Sequence, residues 1–305
     1  MRNVLLKIYK LFLIILAIIA RLFSFFRNLL NYLASKIVFF YKGNLFFKDF
    51  QTYIKIIKEI KFKNYIIKAK INNYWDYWRS IEFEKYPIDL ILEEKKKNKD
   101  VIFYEIGANV GYSSLLISKI LSETGKVYCF EVEPTNFKSL CDNIILNKLD
   151  NIVPLSIGIS DNNSLEKFYY NINFNNDKDF LPQSSMGSHS ITFDNKIHKK
   201  NVACHVPMMN FNTIIDIFNL PSPTHIFIDA YGAEKKIIKS VINSNKISNC
   251  KKILVDIEEK EKIEDTEVYN LLVSAGYKLE QTTTEDQVGV GSKMKAYHAV
   301  FSKNN

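Results

Sequence analysis

The chain has 305 residues, 47% of them hydrophobic and 24% charged, which excludes an intrinsically disordered protein and exceeds the ~100–200 residues of one ordinary domain. Cys129, Cys141, Cys204 and Cys250 form no C-x-x-C pair and have no histidine at metal-ligand spacing, so buried free thiols in a reducing, cytoplasmic compartment are expected rather than disulfides or a metal site. The net charge of +8 is uneven: Lys and Arg outnumber Asp and Glu by 14 to 2 over residues 1–72, a net +12 that leaves −4 for the remainder.

Val4 to Phe40 is the first informative stretch. Leu11 to Ala20 carries no charge, but Lys7, Lys10 and Arg21 bracket it, and the run falls short of the ~20 residues that comfortably span a bilayer. On a helix, alternating four- and three-residue steps collect Asn3, Lys7, Lys10, Ile14, Ala17, Arg21, Ser24, Asn28, Asn31 and Ser35 into a narrow polar stripe on an apolar cylinder. That geometry predicts a helix lying in the membrane interface over residues 1–43, with Lys and Arg reaching the headgroups. A single signal-anchor span and a helix packed on protein are the alternatives. Lys and Arg are dense after Phe26, which puts the rest of the chain on the cytoplasmic face.

Residues 44–99 read as a basic helical extension. Phe46, Phe50, Tyr53, Ile54, Ile57 and Ile60 recur at three- and four-residue steps from Leu45 to Tyr65, with Lys48, Lys55, Lys58 and Lys61 interleaved. A lysine face suits anionic lipid better than plain solvent beside such an N-terminus, and nucleic acid is not expected because no recognised binding motif accompanies the charge. Tyr74 to Trp78, YWDYW, reads as the aromatic cap of a core edge. Glu93 to Lys99 reads as a solvated helix end and linker.

Val101 to Gly111, VIFYEIGANVG, organises everything after it. The apolar run is too short for a helix and reads as a buried parallel strand; Gly107 and Gly111 allow a tight turn; Tyr112 to Leu121 has helical spacing. Strand, glycine turn and helix make a nucleotide-cofactor site. Glu105 would repel a pyrophosphate at short range but favours the ammonium and sulfonium of S-adenosylmethionine, and the turn Gly107, Ala108, Asn109, Val110, Gly111 lacks the dinucleotide fingerprint. An oxidoreductase taking NAD(P) is therefore disfavoured. Lys126 to Phe130 is a second strand whose following residue, Glu131, sits where a carboxylate accepts both ribose hydroxyls.

Pro134 to Asn147 reads as a helix, Ile152 to Ile159 as a third strand, and Leu165 to Asn173 as a fourth. Asn175 to Asn195 is a long polar loop whose Ser184, Ser185, Ser188 and His189 line an acceptor pocket or are simply flexible. Val202 to Pro207 is a strand and Asn210 to Asn219 a helix with Asn212 as cap. His225 to Glu234 delivers Asp229 to the carboxyl edge of the sheet, with Gly232 and Glu234 opening a helix. Lys252 to Ile257, Tyr277 to Thr282 and Ala296 to Phe301 are strands around a helix from Thr266 to Ala275, and Val288 to Gly291 reads as a flexible turn. The alternation predicts an α/β, doubly wound, mostly parallel sheet over residues 100–305.

The stretches EIGANVGYSSLLISKI, GKVYCFEVEPTNFKSLCDNIILN, ISD at Ile159 to Asp161 and IFIDAYGAE at Ile226 to Glu234 resemble the FkbM-type methyltransferases, from about Asp100 to Phe301. The resemblance implies a Rossmann-like sheet of the class I methyltransferase type, S-adenosylmethionine as cofactor, and O-methylation of a sugar or natural product. It implies that Ser160 and Asp161 lie beside the adenine and that Gly107, Asn109, Gly111, Glu105 and Glu131 hold the rest of the cofactor. Transfer to a hydroxyl needs an aligned oxygen and a group to take its proton, for which Asp229 comes first and Glu234 second; their alternatives are orienting the methionine ammonium and starting a helix. The family pattern Lys-Ile-Asp-Val-Glu-Gly-x-Glu is altered here, with Phe227 for the Lys and Tyr231 for the first Glu. Tyr231 can hydrogen-bond an acceptor, although a phenol near pKa 10 is a poor base. A membrane-associated methyltransferase acting on a glycan or lipid-linked saccharide is the reading reached. A cofactor-binding or membrane-scaffold protein without turnover is its alternative.

Overall fold

A computed structural model describes residues 56–72, 76, 79–81, 83, 85–97, 100–170, 202–230, 232–259, 262–286 and 295–303, together with Ile15. The expected N-terminal helix (Ile15 apart), the aromatics of YWDYW, the polar loop over residues 175–195, Tyr231 and the VGVG turn lie outside the described residues. Among those described, no helix is long and apolar enough to cross a membrane.

The sheet-forming runs are short and β-branched or aromatic, and they alternate with amphipathic helices. Strands β3 (Val101–Ile106), β4 (Gly125–Phe130), β5 (Ile152–Leu155), β9 (His225–Ile228), β10 (Lys252–Glu259), β11 (Lys278–Asp286) and β12 (Lys295–Ser302) form one sheet in the order β11-β12-β10-β9-β3-β4-β5. From β5 to β10 every pairing is parallel, while β12 runs antiparallel to both its neighbours and closes the edge as a hairpin with β11. Helices α1 (Tyr86–Lys96), α2 (Tyr112–Leu121) and α3 (Pro134–Asn147) contribute Ile88, Leu115 and Leu140 to one core. Helices α4 (Phe211–Phe218), α5 (Glu234–Ile242) and α6 (Glu267–Ser274) contribute Phe211, Ile237 and Leu272 to the core on the other face. The chain leaves β3 toward β4 and β5, then returns to place β9 on the opposite side of β3. This reversal makes the carboxyl ends of β3 and β9 the topological switch point, the place where such sheets bind ligands.

Three expectations are corrected. From residue 56 on, where the structure is described, the helix expected from Leu45 to Tyr65, and with it the wholly helical reading of residues 44–99, gives way to a hairpin of β1 (Ile56–Phe62) and β2 (Tyr65–Ile71), Phe62 pairing with Tyr65 across a turn in which Lys63 takes φ +50°. Ile60, Phe62, Ile67, Ala69 and Ile71 point inward at strand spacing and join the same core as α2 and α3. Helix α3 covers the free edge of β2: Lys68 N donates to Asn147 Oδ1 (2.7 Å) and Lys70 N to Asn143 Oδ1 (2.8 Å). The run Ile152 to Ile159 is divided between two sheets, because β5 ends at Leu155 opposite Phe130 while β6 (Gly158–Ile159) pairs with β8 (Val202–Met209). Strand β7 (Ser164–Tyr170) runs antiparallel along β8 and completes this second, three-stranded sheet. The cap of α4 is Asn210, whose Oδ1 accepts from Thr213 N (2.9 Å), rather than Asn212, whose Oδ1 accepts from the Ser244 hydroxyl. The four cysteines are free, Cys129 and Cys250 buried and the other two half-buried.

Candidate active site

The turn after β3 is shaped by what crowds it. Gly107 takes φ +92°, and a Cβ there would lie 1.8 Å from the Asp229 carbonyl oxygen, so the ends of β3 and β9 meet only because that position has no side chain. Its N–H and that of Ala108 both donate to Phe130 O (2.9 and 3.0 Å), which tucks the turn over the end of β4. Asn109 adopts φ +54°, with its Oδ1 accepting from Val110 N (2.8 Å). Gly111 caps α2 at φ +84° against Leu140. Asn143 is fully buried and donates through Nδ2 to Val110 O (3.0 Å), so one side chain ties the glycine turn to the hairpin.

Glu131 stands at the centre of this arrangement. Its Oε2 accepts from Asn109 N and its Oε1 from Glu133 N, each at 2.7 Å, so the carboxylate bridges the turn after β3 and the turn after β4. Burial pushes its carboxyl up to about 7, against the lowering effect of the two amides; Glu133 adds to the rise and the Arg79 guanidinium opposes it. Glu133 caps α3 by accepting from Asn136 N through Oε2. Its other oxygen and Asn136 Oδ1 are buried with no partner among the described residues. Unpartnered acceptors beside a carboxylate at the end of β4 suit a neighbour rich in hydroxyl and amine donors, as the adenosine half of S-adenosylmethionine is.

The structure places the other expected site residues as follows. Glu105 is 2% exposed and accepts from the Ser113 hydroxyl (2.5 Å) and the Ser114 hydroxyl; burial raises its carboxyl to about 7 while the serines lower it. Through these two bonds it anchors the first turn of α2 below the glycine turn. Ser160 is buried just beyond β6, donating its N–H to Met209 O (3.0 Å) and its hydroxyl to Asp161 Oδ1 (3.2 Å), while Asp161 is exposed. Asp229 is half-buried at the end of β9, with its N–H on Ile106 O (2.9 Å), so Gly107, Glu131 and Asp229 do come together. Glu234 accepts from Gly232 N (3.0 Å) at the start of α5, the helix-start role. Phe227 is 1% exposed with Tyr86 edge-on at 5.4 Å, which explains an apolar residue at a position that faces the core under α1.

Two groups escaped the sequence reading. Asp76 is buried, accepts from Asn72 N (2.9 Å) and receives the Tyr112 hydroxyl on its carbonyl (3.3 Å). Arg79, three residues on, acts electrostatically on both Glu131 and Tyr112. The available signal was an acid and a base at helical spacing inside an aromatic stretch. On the far side of Asp229, the Asp256 carboxylate accepts from His298 Nδ1 across β10 and β12, two strands that the sequence presents only as closing elements.

The Methyltransferase FkbM domain family matches residues 105–279. Over 80 residues the chain is 34% identical to a tRNA(Phe) (4-demethylwyosine(37)-C(7)) aminocarboxypropyltransferase of Methanocaldococcus jannaschii, a match covering 25% of this chain and 30% of that protein. The chain thus spans less than a third of the length of this curated relative. Among solved structures, a precorrin-6y C5,15-methyltransferase from Geobacter metallireducens has TM-score 0.40 and 15% identity, covering 73% of this chain and 89% of that one. Aeropyrum pernix fibrillarin, crystallised with S-adenosyl-L-methionine, has TM-score 0.38 and 12% identity over 66% of each chain.

Proposed function

The chain belongs to the FkbM methyltransferase domain family, and from that premise we propose that it is an S-adenosylmethionine-dependent methyltransferase that methylates a hydroxyl oxygen of a glycan or lipid-linked saccharide at the cytoplasmic face of a membrane. The observation that carries the acceptor side is the position of Asp229, a carboxylate at the carboxyl edge of the sheet whose backbone touches the glycine turn. An in-line displacement at a methyl group needs an aligned oxygen and a group to receive its proton, and that edge supplies polar groups on the side away from Glu131. The membrane side of the reading comes from the apolar stretch and the net charge of +12 in the first 72 residues.

When bound, the cofactor supplies an electrophilic methyl group on a sulfonium. Glu131 is the residue to accept the ribose hydroxyls, with Glu133 and Asn136 beside it and Ser160 and Asp161 toward the adenine. Glu131 carries a pH dependence whose sign follows from its raised carboxyl. Accepting two hydroxyls requires the ionised form, so below about pH 7 binding must first displace a proton. Affinity is expected to rise with pH through 7 and to fall by up to about tenfold for each pH unit below it, with release of up to one proton. Calorimetry between pH 5.5 and 8.5 in buffers of different ionisation enthalpy reads both quantities, and a flat profile without proton release would remove Glu131 from the ribose.

A second reading has one observation behind it, the 34% identity over 80 residues with an enzyme that modifies tRNA. The two separate in one assay. Full-length protein in detergent, given S-adenosylmethionine labelled in the methyl group, is presented with lipid-linked saccharides and polysaccharide from membranes, or with total tRNA. Label in O-methyl sugars is the expected result. Label in tRNA would sink the glycan reading, and cofactor binding with label in neither would favour the non-catalytic alternative.

A further inference from the structure

The carboxyl edge of the sheet carries more than the cofactor's side of a reaction. Register puts Ile106 opposite Ile228 and Ile228 opposite Val255, so Gly107, Asp229 and Asp256 stand level, each one residue beyond those pairs. Asp256 in turn pairs with His298 on β12. Strand periodicity sets the faces: Phe227, Leu254 and Val300 all enter the core under α1 and α2, so Asp229, Asp256 and His298, two residues from each, face the same side. The Tyr86 ring at the start of α1 confirms this for the histidine, lying 5.1 Å from the His298 ring and 5.4 Å from that of Phe227. The side chains of His298 and Asp256 are 14% and 16% exposed, largely screened from bulk water.

We infer that His298, oriented by Asp256, is the base that receives the proton of the acceptor hydroxyl. The inference rests on the methyltransferase reading and deepens it. With Nδ1–H donated to the Asp256 carboxylate, Nε2 is the nitrogen that exchanges a proton, and the carboxylate stabilises the imidazolium that forms. In the transfer step the acceptor oxygen forms its bond to the methyl carbon while the carbon–sulfur bond breaks, its electron pair remaining on sulfur. The hydroxyl proton passes to Nε2 and later to water. An imidazole with an ordinary pKa near 6.5 is better matched to this task at neutral pH than an aspartate near 3.9. Asp229, its backbone against the glycine turn, is then available for the methionine ammonium. Two strand spacings of about 4.8 Å separate Asp229 from His298, with Asp256 on β10 between them.

The test needs no acceptor. A base beside the reacting methyl senses the charge on sulfur, so its titration must differ between S-adenosylmethionine, which is cationic there, and S-adenosylhomocysteine, which is neutral. The full-length chain in detergent, with 13C-labelled histidine rings, contains only five histidines, and His298→Asn assigns the signal. The titratable groups near it among the described residues are Asp256 on β10 and Tyr86 on α1, with Asp229 level with Asp256 after β9 and the positions of Glu258 and Glu285 both opposite Ala296 by register. These are common to both complexes and cancel in the comparison. The His298 midpoint is expected at least about half a pH unit lower with S-adenosylmethionine than with S-adenosylhomocysteine. Asp256→Asn is expected to lower it in both complexes. Equal midpoints in the two complexes overturn the assignment of His298 while leaving the methyltransferase reading intact. Failure of either ligand to bind the folded chain removes both.

Discussion

Replacing Gly107 by alanine is expected to lower the stability of the domain and to abolish cofactor binding together. The added Cβ would sit 1.8 Å from the Asp229 carbonyl oxygen and 2.8 Å from its carbon, both backbone atoms that no rotamer change can move aside. At φ +92° the alanine is also held in a conformation that L-residues avoid. Relief requires the ends of β3 and β9 to part, which breaks the bond from Asp229 N to Ile106 O and pulls Gly107 N and Ala108 N from Phe130 O. Backbone strain plus overpacking amounts to roughly 2–4 kcal/mol, a fall in Tm of about 4–16 °C for a domain of this size. Gly232→Ala is the informative control. Gly232 has φ +79° but nothing among the described residues within 4 Å of a built Cβ, so it carries the dihedral strain without the collision. If Gly107→Ala proves no worse than Gly232→Ala by thermal unfolding and by calorimetric titration of S-adenosylmethionine, the close approach of β3 and β9 is wrong.

That contact also shows what a sequence can and cannot announce. The glycine turn was legible because its constraints are local: an apolar run, an acid, glycines four apart, then helical spacing, and α2 and α3 begin and end where the pattern puts them. Glu131 was legible because a carboxylate directly after the second strand has few other uses. The N-terminal hairpin was not, since Ile57 and Ile60 fit a helical step as well as Ile60 and Phe62 fit a strand step, and only the turn at Lys63 and Asn64 favours the strand. Apolar character likewise cannot say which neighbour a strand will choose, so the passage from β5 to β6 looked continuous although Leu155 and Gly158 belong to different sheets. Glu105 shows the same limit in the site. Its charge was visible, but the two serines that take up its carboxylate come from the helix beyond the turn, and their direction is fixed only by how α2 packs. Asp256 and His298 are distant in sequence and meet through antiparallel pairing, so neither position carries a local sign of the other.

Glu131→Ala is expected to weaken S-adenosylmethionine at least about 100-fold, with a much smaller effect on stability. In the free protein the carboxylate accepts from Asn109 N and Glu133 N and still has lone pairs to offer. Two hydroxyls donating to a charged acceptor contribute about 1.5–3 kcal/mol each, so losing both removes enough affinity to pass that threshold even if the amides find water. Stability responds less because two effects oppose. The substitution leaves two amides without their acceptor, but it also removes a carboxylate whose charged form burial disfavours, as its carboxyl near 7 shows. Glu131→Gln separates charge from shape. It keeps one acceptor oxygen but turns an NH2 toward a backbone N–H, so it should bind with intermediate affinity and lose the rise in affinity with pH that the ionisable residue confers. Calorimetric titration of the wild type and both variants at pH 6 and pH 8 distinguishes these outcomes. A Glu131→Ala protein that binds within about threefold of wild type, or a Glu131→Gln protein that keeps the full pH dependence, would place the ribose elsewhere and leave Glu131 only its structural task of joining the two turns.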